Sequence, residues 1–193
     1  MSARPRRLLL ERISRRQALG RALTLSAGAG LALAACGGGK ESGAGALTGQ
    51  AREADMSRAQ RHFASGMNCA QSVLLAVCEE LSLSSDAVMK AAIPFGRGIG
   101  GSGEICGALA GALMAIGVKE GESATKDRVY GLARETVARF RQEMGNTDCR
   151  DLTGLDLGTQ EGLDRLAQSG IRETVCVRAV GYAYRTALEL LEG

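Results

Sequence analysis

Five cysteines follow residue 50, and their spacing limits the chemistry that they could do. They are Cys69, Cys78, Cys106, Cys149 and Cys176. No two of them form a C-x-x-C pair, so the thioredoxin, ferredoxin and c-type haem-attachment spacings are all absent. The single histidine, His62, disfavours a histidine-rich zinc or copper centre. Any site built from these thiols must therefore be assembled by folding.

Two of the thiols lie where a helix is predicted to begin. Asn68 is a suitable N-cap for a helix that starts at Cys69, and a glycine-rich segment leads into a second helix that starts near Cys106. The N-terminus of a helix carries partial positive charge, which favours a thiolate. We therefore expect a lowered pKa at both thiols.

The other three cysteines have different settings. Cys149 follows a predicted helix end and precedes Arg150, while Cys176 lies on the apolar stripe of the last helix. Cys78 is nine residues beyond Cys69, so on an α-helix it lies about 180° around the axis and about 13.5 Å along it. A disulfide needs Cα atoms within about 7 Å, which excludes a Cys69–Cys78 bond. We expect Cys78 to pack in the core as a small apolar residue.

Apolar residues recur at helical spacing along most of residues 51–193, without sustained period-2 alternation. The predicted helices cover residues 55–65, 69–81, about 86–93, about 106–118, 123–144 and about 172 to the end. The pattern predicts an all-α bundle of about five to six helices, with a glycine-rich loop before Cys106 and an irregular stretch from Asp151 to Gln160.

The first 35 residues are typical of an export signal. They contain the pair Arg15-Arg16, which resembles a twin-arginine signal, and an uncharged segment that is too short to cross a bilayer. The segment ends in Leu33-Ala34-Ala35-Cys36, which resembles a lipoprotein cleavage site that leaves Cys36 as the lipid-bearing first residue. We expect the twin-arginine machinery to export the protein and a lipid to anchor it at the outer face of a bacterial cytoplasmic membrane.

Residues 36–50 are rich in glycine, serine and alanine and are predicted to form a flexible linker to one domain, residues 51–193. The net charge of the whole chain is +3, but the leader contains seven arginines and one glutamate, so the remainder carries −3. The chain has no tryptophan and only six other aromatic residues. No basic or stacking surface indicates a nucleic-acid partner.

The cysteines lie in stretches that resemble a known family. These are Asn68-Cys69-Ala70-Gln71-Ser72-Val73-Leu74, Gly98-Ile99-Gly100-Gly101, Cys106-Gly107-Ala108-Leu109-Ala110-Gly111-Ala112, Cys149-Arg150 and Cys176. They look like the C_GCAxxG_C_C family of candidate redox-active proteins, over essentially all of residues 51–193. The resemblance implies that Cys69, Cys106, Cys149 and Cys176 are the four characteristic cysteines. The family is also similar to part of split-Soret cytochrome c, which has a four-cysteine iron–sulfur site beside haem; without a haem motif, no haem is implied here.

The glycines around Cys106 have two expected uses. Those of the loop can adopt positive φ and bring backbone N–H groups to a cofactor, where such hydrogen bonds tune the potential of cluster sulfurs. The candidate cofactor contacts are Gly98, Gly100, Gly101, Gly103 and Gly107. Gly107 and Gly111 also leave one helix face bare, which suits either a cofactor or close helix packing.

Four thiolates at Cys69, Cys106, Cys149 and Cys176 suit an iron–sulfur cluster, of the [2Fe–2S] type, or structural zinc. We expect a cluster that exchanges electrons with a redox partner protein, in a domain that could form a homodimer. Three alternatives stay open: a dithiol/disulfide couple that uses the same cysteines, structural disulfides, and a non-redox lipoprotein with buried thiols. Glu104 and Asp148 are candidate acid/base partners of a thiol, and His62 is expected at a solvent edge.

Overall fold

The computed structural model describes residues 56–193. The predicted signal peptide, the lipidation site at Cys36 and the linker lie outside these residues. Within the described part the chain forms nine α-helices and no strand, which confirms the predicted all-helical fold. No helix of this part has both the length and the hydropathy needed to cross a bilayer.

The helices are α1 (Arg58–Ala64), α2 (Cys69–Glu80), α3 (Asp86–Ala91), α4 (Gly96–Ile99), α5 (Gly107–Glu120), α6 (Lys126–Met144), α7 (Cys149–Thr153), α8 (Gln160–Gln168) and α9 (Val177–Glu192). A 3₁₀ turn, Ile93–Phe95, precedes α4, and a π-helical turn, Arg172–Cys176, precedes α9. The sequence predicted five to six helices because it missed α4, α7 and α8. Of these, α4 is a single turn whose Arg97 and Gly98 have left-handed backbone angles, α7 is a single turn, and α8 contains a glycine in a mostly polar segment.

Local capping explains where the principal helices begin. The side chain of Asn68 accepts a hydrogen bond from the Gln71 N–H at 2.9 Å, as the sequence predicted. Ser57 and Gln60 form a reciprocal capping box at the start of α1. At the start of α6 the side chain of Thr125 accepts a hydrogen bond from the Arg128 N–H at 3.3 Å. Each such cap stabilises the fold by about 1 kcal/mol and fixes the first residue of its helix.

The core lies between α2, α5 and α9, with α1 and α6 packed around them. Small residues bring α2 and α5 unusually close, and a Cβ atom on Gly111 would collide with the carbonyl oxygen of Ala70. Gly111 therefore serves helix packing. Cys78 is fully buried in this core, which confirms its predicted packing role.

A smaller cluster lies beside this core. Leu155 and Leu157, from the loop after α7, are buried together with Cys149. Leu163 and Leu166 of α8 pack against them. This cluster forms one wall of the candidate site.

Candidate functional site

Cys69 is held at the first residue of α2, where several backbone donors meet. Backbone N–H groups of Arg97, Cys69, Ala70 and Ala108 lie near its sulfur and act to lower its pKa, although burial outweighs them. The donors come from α2, from the glycine-rich loop and from the start of α5, so Cys69 lies where three segments converge. Gly107 makes this approach possible, because a Cβ atom there would collide with the Cys69 sulfur and lie 2.6 Å from the Phe95 carbonyl oxygen.

Cys106 and Cys149 are brought together by pairing between two loops. The Cys106 N–H donates to the Thr147 carbonyl at 2.7 Å, and the Cys149 N–H donates to the Glu104 carbonyl at 2.7 Å. Ile105 and Asp148 form an isolated antiparallel bridge between them. The pairing places the starts of α5 and α7 side by side, although the two cysteines are far apart in sequence.

The glycine-rich loop takes a left-handed course over residues 97–101. The φ angles of Arg97, Gly98, Ile99, Gly100 and Gly101 are 58°, 70°, 58°, 63° and 95°. Left-handed backbone angles cost an L-residue other than glycine about 1–2 kcal/mol, so Arg97 and Ile99 are strained. Residue 98 must be glycine for a second reason, because a Cβ atom there would lie 2.6 Å from the Cβ of Cys149.

The predicted glycine contacts have distinct surroundings. A Cβ on Gly101 would lie 3.0 Å from the Leu157 carbonyl, and one on Gly103 would lie 2.7 Å from Arg150 Nε. Gly100 has open space around it. The N–H groups that reach the Cys69 sulfur from the loop and from α5 belong to Arg97 and Ala108, not to these glycines. The loop glycines thus shape the backbone that presents the donors.

Cys176 comes from the π-helical turn that precedes α9. Such a turn adds a residue to the helical repeat and redirects the side chains next to it, and it is common at functional sites. The helical pattern alone predicted an uninterrupted helix from about Arg172. The structure shows regular α-helix only from Val177.

The four cysteines of the family pattern line one small cavity. It has a volume of about 20 Å³, and Cys69, Cys106, Cys149 and Cys176 surround it together with apolar groups such as Leu152 and Val175. The remaining polar side chain is Thr153, whose hydroxyl donates to the Cys149 carbonyl at 2.7 Å. Cys78 lies outside this set. Among residues 56–193, the potential metal-ligating side chains that line the cavity with no hydrogen bond of their own are therefore these four cysteines.

Burial changes the ionisation of these thiols in the direction opposite to that predicted. It raises the pKa of Cys69 and Cys106, and the N–H groups at the helix starts offset only part of this effect. Burial, with the charge of Cys69 second, raises the pKa of Cys149 to about 12 and that of Cys176 to about 11. The expected low-pKa thiols at Cys69 and Cys106 are thus wrong, because desolvation outweighs the helix dipole.

We expect the four thiols to alkylate slowly in the metal-free protein. Because burial raises the pKa of Cys176 to about 11, only about one Cys176 thiol in a thousand is ionised at pH 8, so its rate should rise about tenfold per pH unit up to pH 10. Iodoacetamide labelling of a chelator-treated sample, followed by peptide mass spectrometry, measures these rates. Labelling that already levels off below pH 9 would contradict the burial account and favour an activated dithiol.

Three other sequence candidates lie away from the cavity. The side chains of Glu104 and Asp148 do not line it, and both residues contribute through their backbone to the loop pairing. His62 is half-buried and its Nε2 lies 2.9 Å from Glu79 Oε2 in a surface ion pair. This placement agrees with the solvent-edge position that the sequence predicted for His62.

The donor set of the cavity consists of four cysteine sulfurs, which are not gathered at metal-binding spacing in this structure. Within residues 56–193 no cysteine forms a disulfide, and no group of three or more His, Cys, Asp or Glu side chains is arranged closely enough to hold a single metal ion. All four donors are sulfur, and no histidine or carboxylate faces the cavity. Four cysteine thiolates are the usual ligand set of [2Fe–2S] and [4Fe–4S] clusters.

The fold and site define an all-helical protein with four cysteines around one cavity. The family model "Putative redox-active protein (C_GCAxxG_C_C)" matches residues 67–190, and the chain belongs to this family. The match confirms the resemblance and includes every residue that lines the cavity. Comparisons with curated proteins and with solved structures gave no match.

Proposed function

We propose that Cys69, Cys106, Cys149 and Cys176 ligate an iron–sulfur cluster of the [2Fe–2S] type, through which the protein transfers electrons. The observation that carries this proposal is that these four thiols line one cavity, with no histidine or carboxylate of the described residues beside them. Membership of a redox-active family agrees with it. When bound, the cluster would supply reversible one-electron oxidation and reduction.

The electrostatics of the site support a cationic occupant. Each of the other three thiols has its pKa raised by burial and further by the charge of Cys69. Four thiolates around one small cavity would repel one another without positive charge between them. Metal ions provide that charge and bind cysteine only as thiolate. The N–H groups that donate to the Cys69 and Cys106 sulfurs would then tune the redox potential.

The dithiol/disulfide alternative has weaker support. Thiol–disulfide exchange needs an attacking thiolate at ambient pH. Burial raises the pKa of all four thiols, so none has the depressed pKa of a catalytic dithiol. Proximity of the cysteines is the one feature that this alternative shares with the cluster proposal.

We also propose that the protein works at the outer face of the cytoplasmic membrane, attached through a lipid on Cys36. The support is the order of twin arginines, apolar segment and Leu33-Ala34-Ala35-Cys36. Export in the folded state is compatible with a cofactor inserted beforehand. Cys36→Ala should move the protein from the membrane to the soluble fraction. If the variant stays membrane-bound after a carbonate wash, lipidation is not what holds the protein there.

Metal and sulfide analysis tests the cluster proposal directly. In full-length protein purified without oxygen, we expect about two iron atoms and two acid-labile sulfides per chain, together with visible absorption bands. Stoichiometric zinc without sulfide would indicate a structural zinc site instead. A colourless protein without metal and with titratable disulfides would contradict the proposal.

A further inference from the structure

A second, larger cavity opens on the outer side of the thiols. It has a volume of about 340 Å³, and Cys69, Cys149 and Cys176 lie at its base. Cys106 reaches only the small inner cavity. The volume falls in the range typical of small-molecule sites. An occupant of this outer cavity would lie directly against three of the four thiols.

The walls of the outer cavity are mainly apolar. Phe63 and Met67 form one side, near the end of α1, and Leu163 and Leu166 of α8 form the other. Leu157 completes the wall between α7 and α8. Such walls suit the body of a planar or branched apolar compound, which buries its surface against them.

The charged side chains that line the outer cavity in the described part of the chain are all positive. Among the described residues, the charged side chains that line it are Arg97 and Arg172, and no carboxylate does. The guanidinium of Arg172 is fixed, since it lies 4.3 Å from the centre of the Phe63 ring and donates to the Phe63 carbonyl at 2.9 Å. An anion in the cavity would therefore find positively charged partners and no carboxylate among the described lining residues.

Arg97 is held at the cavity rim at a cost in backbone strain. Its φ is 58°, a value that glycine adopts more readily than arginine, and both of its neighbours, Gly96 and Gly98, are glycines. Its exposed side chain makes no hydrogen bond or ion pair with the part of the chain that the structure describes. Among the described residues the Arg97 guanidinium is therefore not engaged, while the backbone of the same residue presents its N–H to the Cys69 sulfur.

We propose that the outer cavity binds a small amphiphilic organic anion, whose apolar body packs between α1 and α8 and whose carboxylate, sulfonate or phosphate group pairs with Arg97 and Arg172. The cavity is too small for the two acyl chains of a phospholipid, so we infer a free metabolite-sized compound. The proposal goes beyond electron transfer and rests on the shape and charge of the pocket alone.

Calorimetric titration with a matched pair of probes tests the proposal. The full-length protein, in a non-ionic detergent with a detergent blank, is titrated with 1-naphthoate and with its uncharged carboxamide. We expect 1-naphthoate to bind one to one and more tightly than the carboxamide. Arg97→Gln should weaken 1-naphthoate binding about three- to tenfold and change carboxamide binding by less than twofold. Leu166→Ala should weaken both.

Two further variants separate ligand binding from folding. Arg165→Gln removes an exposed arginine of α8 that does not line the cavity, and it should change neither affinity. Arg97→Gly should weaken 1-naphthoate binding without lowering the melting temperature, because glycine relieves the positive φ. Equal affinity for the two probes, unchanged binding by Arg97→Gln, or a lower melting temperature of Arg97→Gly would each overturn the proposal.

The source of the anion is tested by competition. Phosphatidylglycerol vesicles should leave 1-naphthoate binding unchanged, and displacement by them would identify a membrane lipid as the occupant and overturn the small-molecule assignment. None of these readouts depends on iron content. Loss of 1-naphthoate binding with a normal iron content would reject only this proposal, whereas binding by an iron-free protein would reject only the cluster.

Discussion

Gly107→Ala is expected to lower the free energy of unfolding by about 2 kcal/mol or more, although alanine is the better helix former. The added Cβ would collide with the Cys69 sulfur and lie 2.6 Å from the Phe95 carbonyl oxygen. Overpacking of this kind costs typically about 1–3 kcal/mol and sometimes more, and here one of the two obstacles is backbone. The helix-propensity gain of about 1 kcal/mol offsets only part of that cost. Urea unfolding followed by circular dichroism measures the change.

Gly117→Ala on the same helix is the matched control. No atom lies within 4 Å of a Cβ built at Gly117, and its φ is that of an ordinary helix. We expect this variant to be more stable than the wild type, by up to about 1 kcal/mol. If both variants gained stability, the close approach of Cys69 to α5 would be wrong.

Cys69→Ala is expected to remove at least nine-tenths of the bound iron. The charge of Cys69 raises the pKa of each of the other three thiols. More backbone N–H groups reach the Cys69 sulfur than reach any other thiol of the site. Loss of even an outer-shell partner typically weakens metal binding about 10–100-fold, so loss of a ligand should do at least as much. Iron per chain in oxygen-free preparations is the measurement.

Cys78→Ala provides a control on the same helix. Cys78 is fully buried but does not line the cavity, so its removal should cost about 1 kcal/mol of stability and leave the iron content unchanged. Equal iron loss from the two variants would mean that Cys69 acts through general destabilisation and not as a ligand. Undiminished iron in Cys69→Ala would place the metal elsewhere.

The long helices could be predicted from sequence because their signals are local. Asn68 marks the start of α2 by its cap, and apolar residues at helical spacing define α5 and α6 to within about three residues of their observed ends. The family motif identified the same four cysteines that the structure brings to one cavity. Both kinds of information are contained in short stretches of sequence.

The rest of the site depends on contacts between distant segments. The pairing of Ile105 with Asp148 has no local signal, since a single bridge requires no alternating strand pattern. The pKa prediction failed for a similar reason: the helix start at Cys69 is visible in the sequence, but its burial under α5 and the loop is not. The outer cavity likewise forms only when side chains of α8, which the sequence analysis missed, line the same space as Phe63 of α1.

Iron K-edge X-ray absorption of the full-length protein, purified without oxygen, tests the central claim most directly. If the four cysteines hold an iron–sulfur cluster, iron should have only sulfur neighbours in its first shell and a second iron close by. Cys78→Ala should leave this spectrum unchanged. Iron with oxygen or nitrogen neighbours, or a protein without iron after oxygen-free purification, would contradict the account.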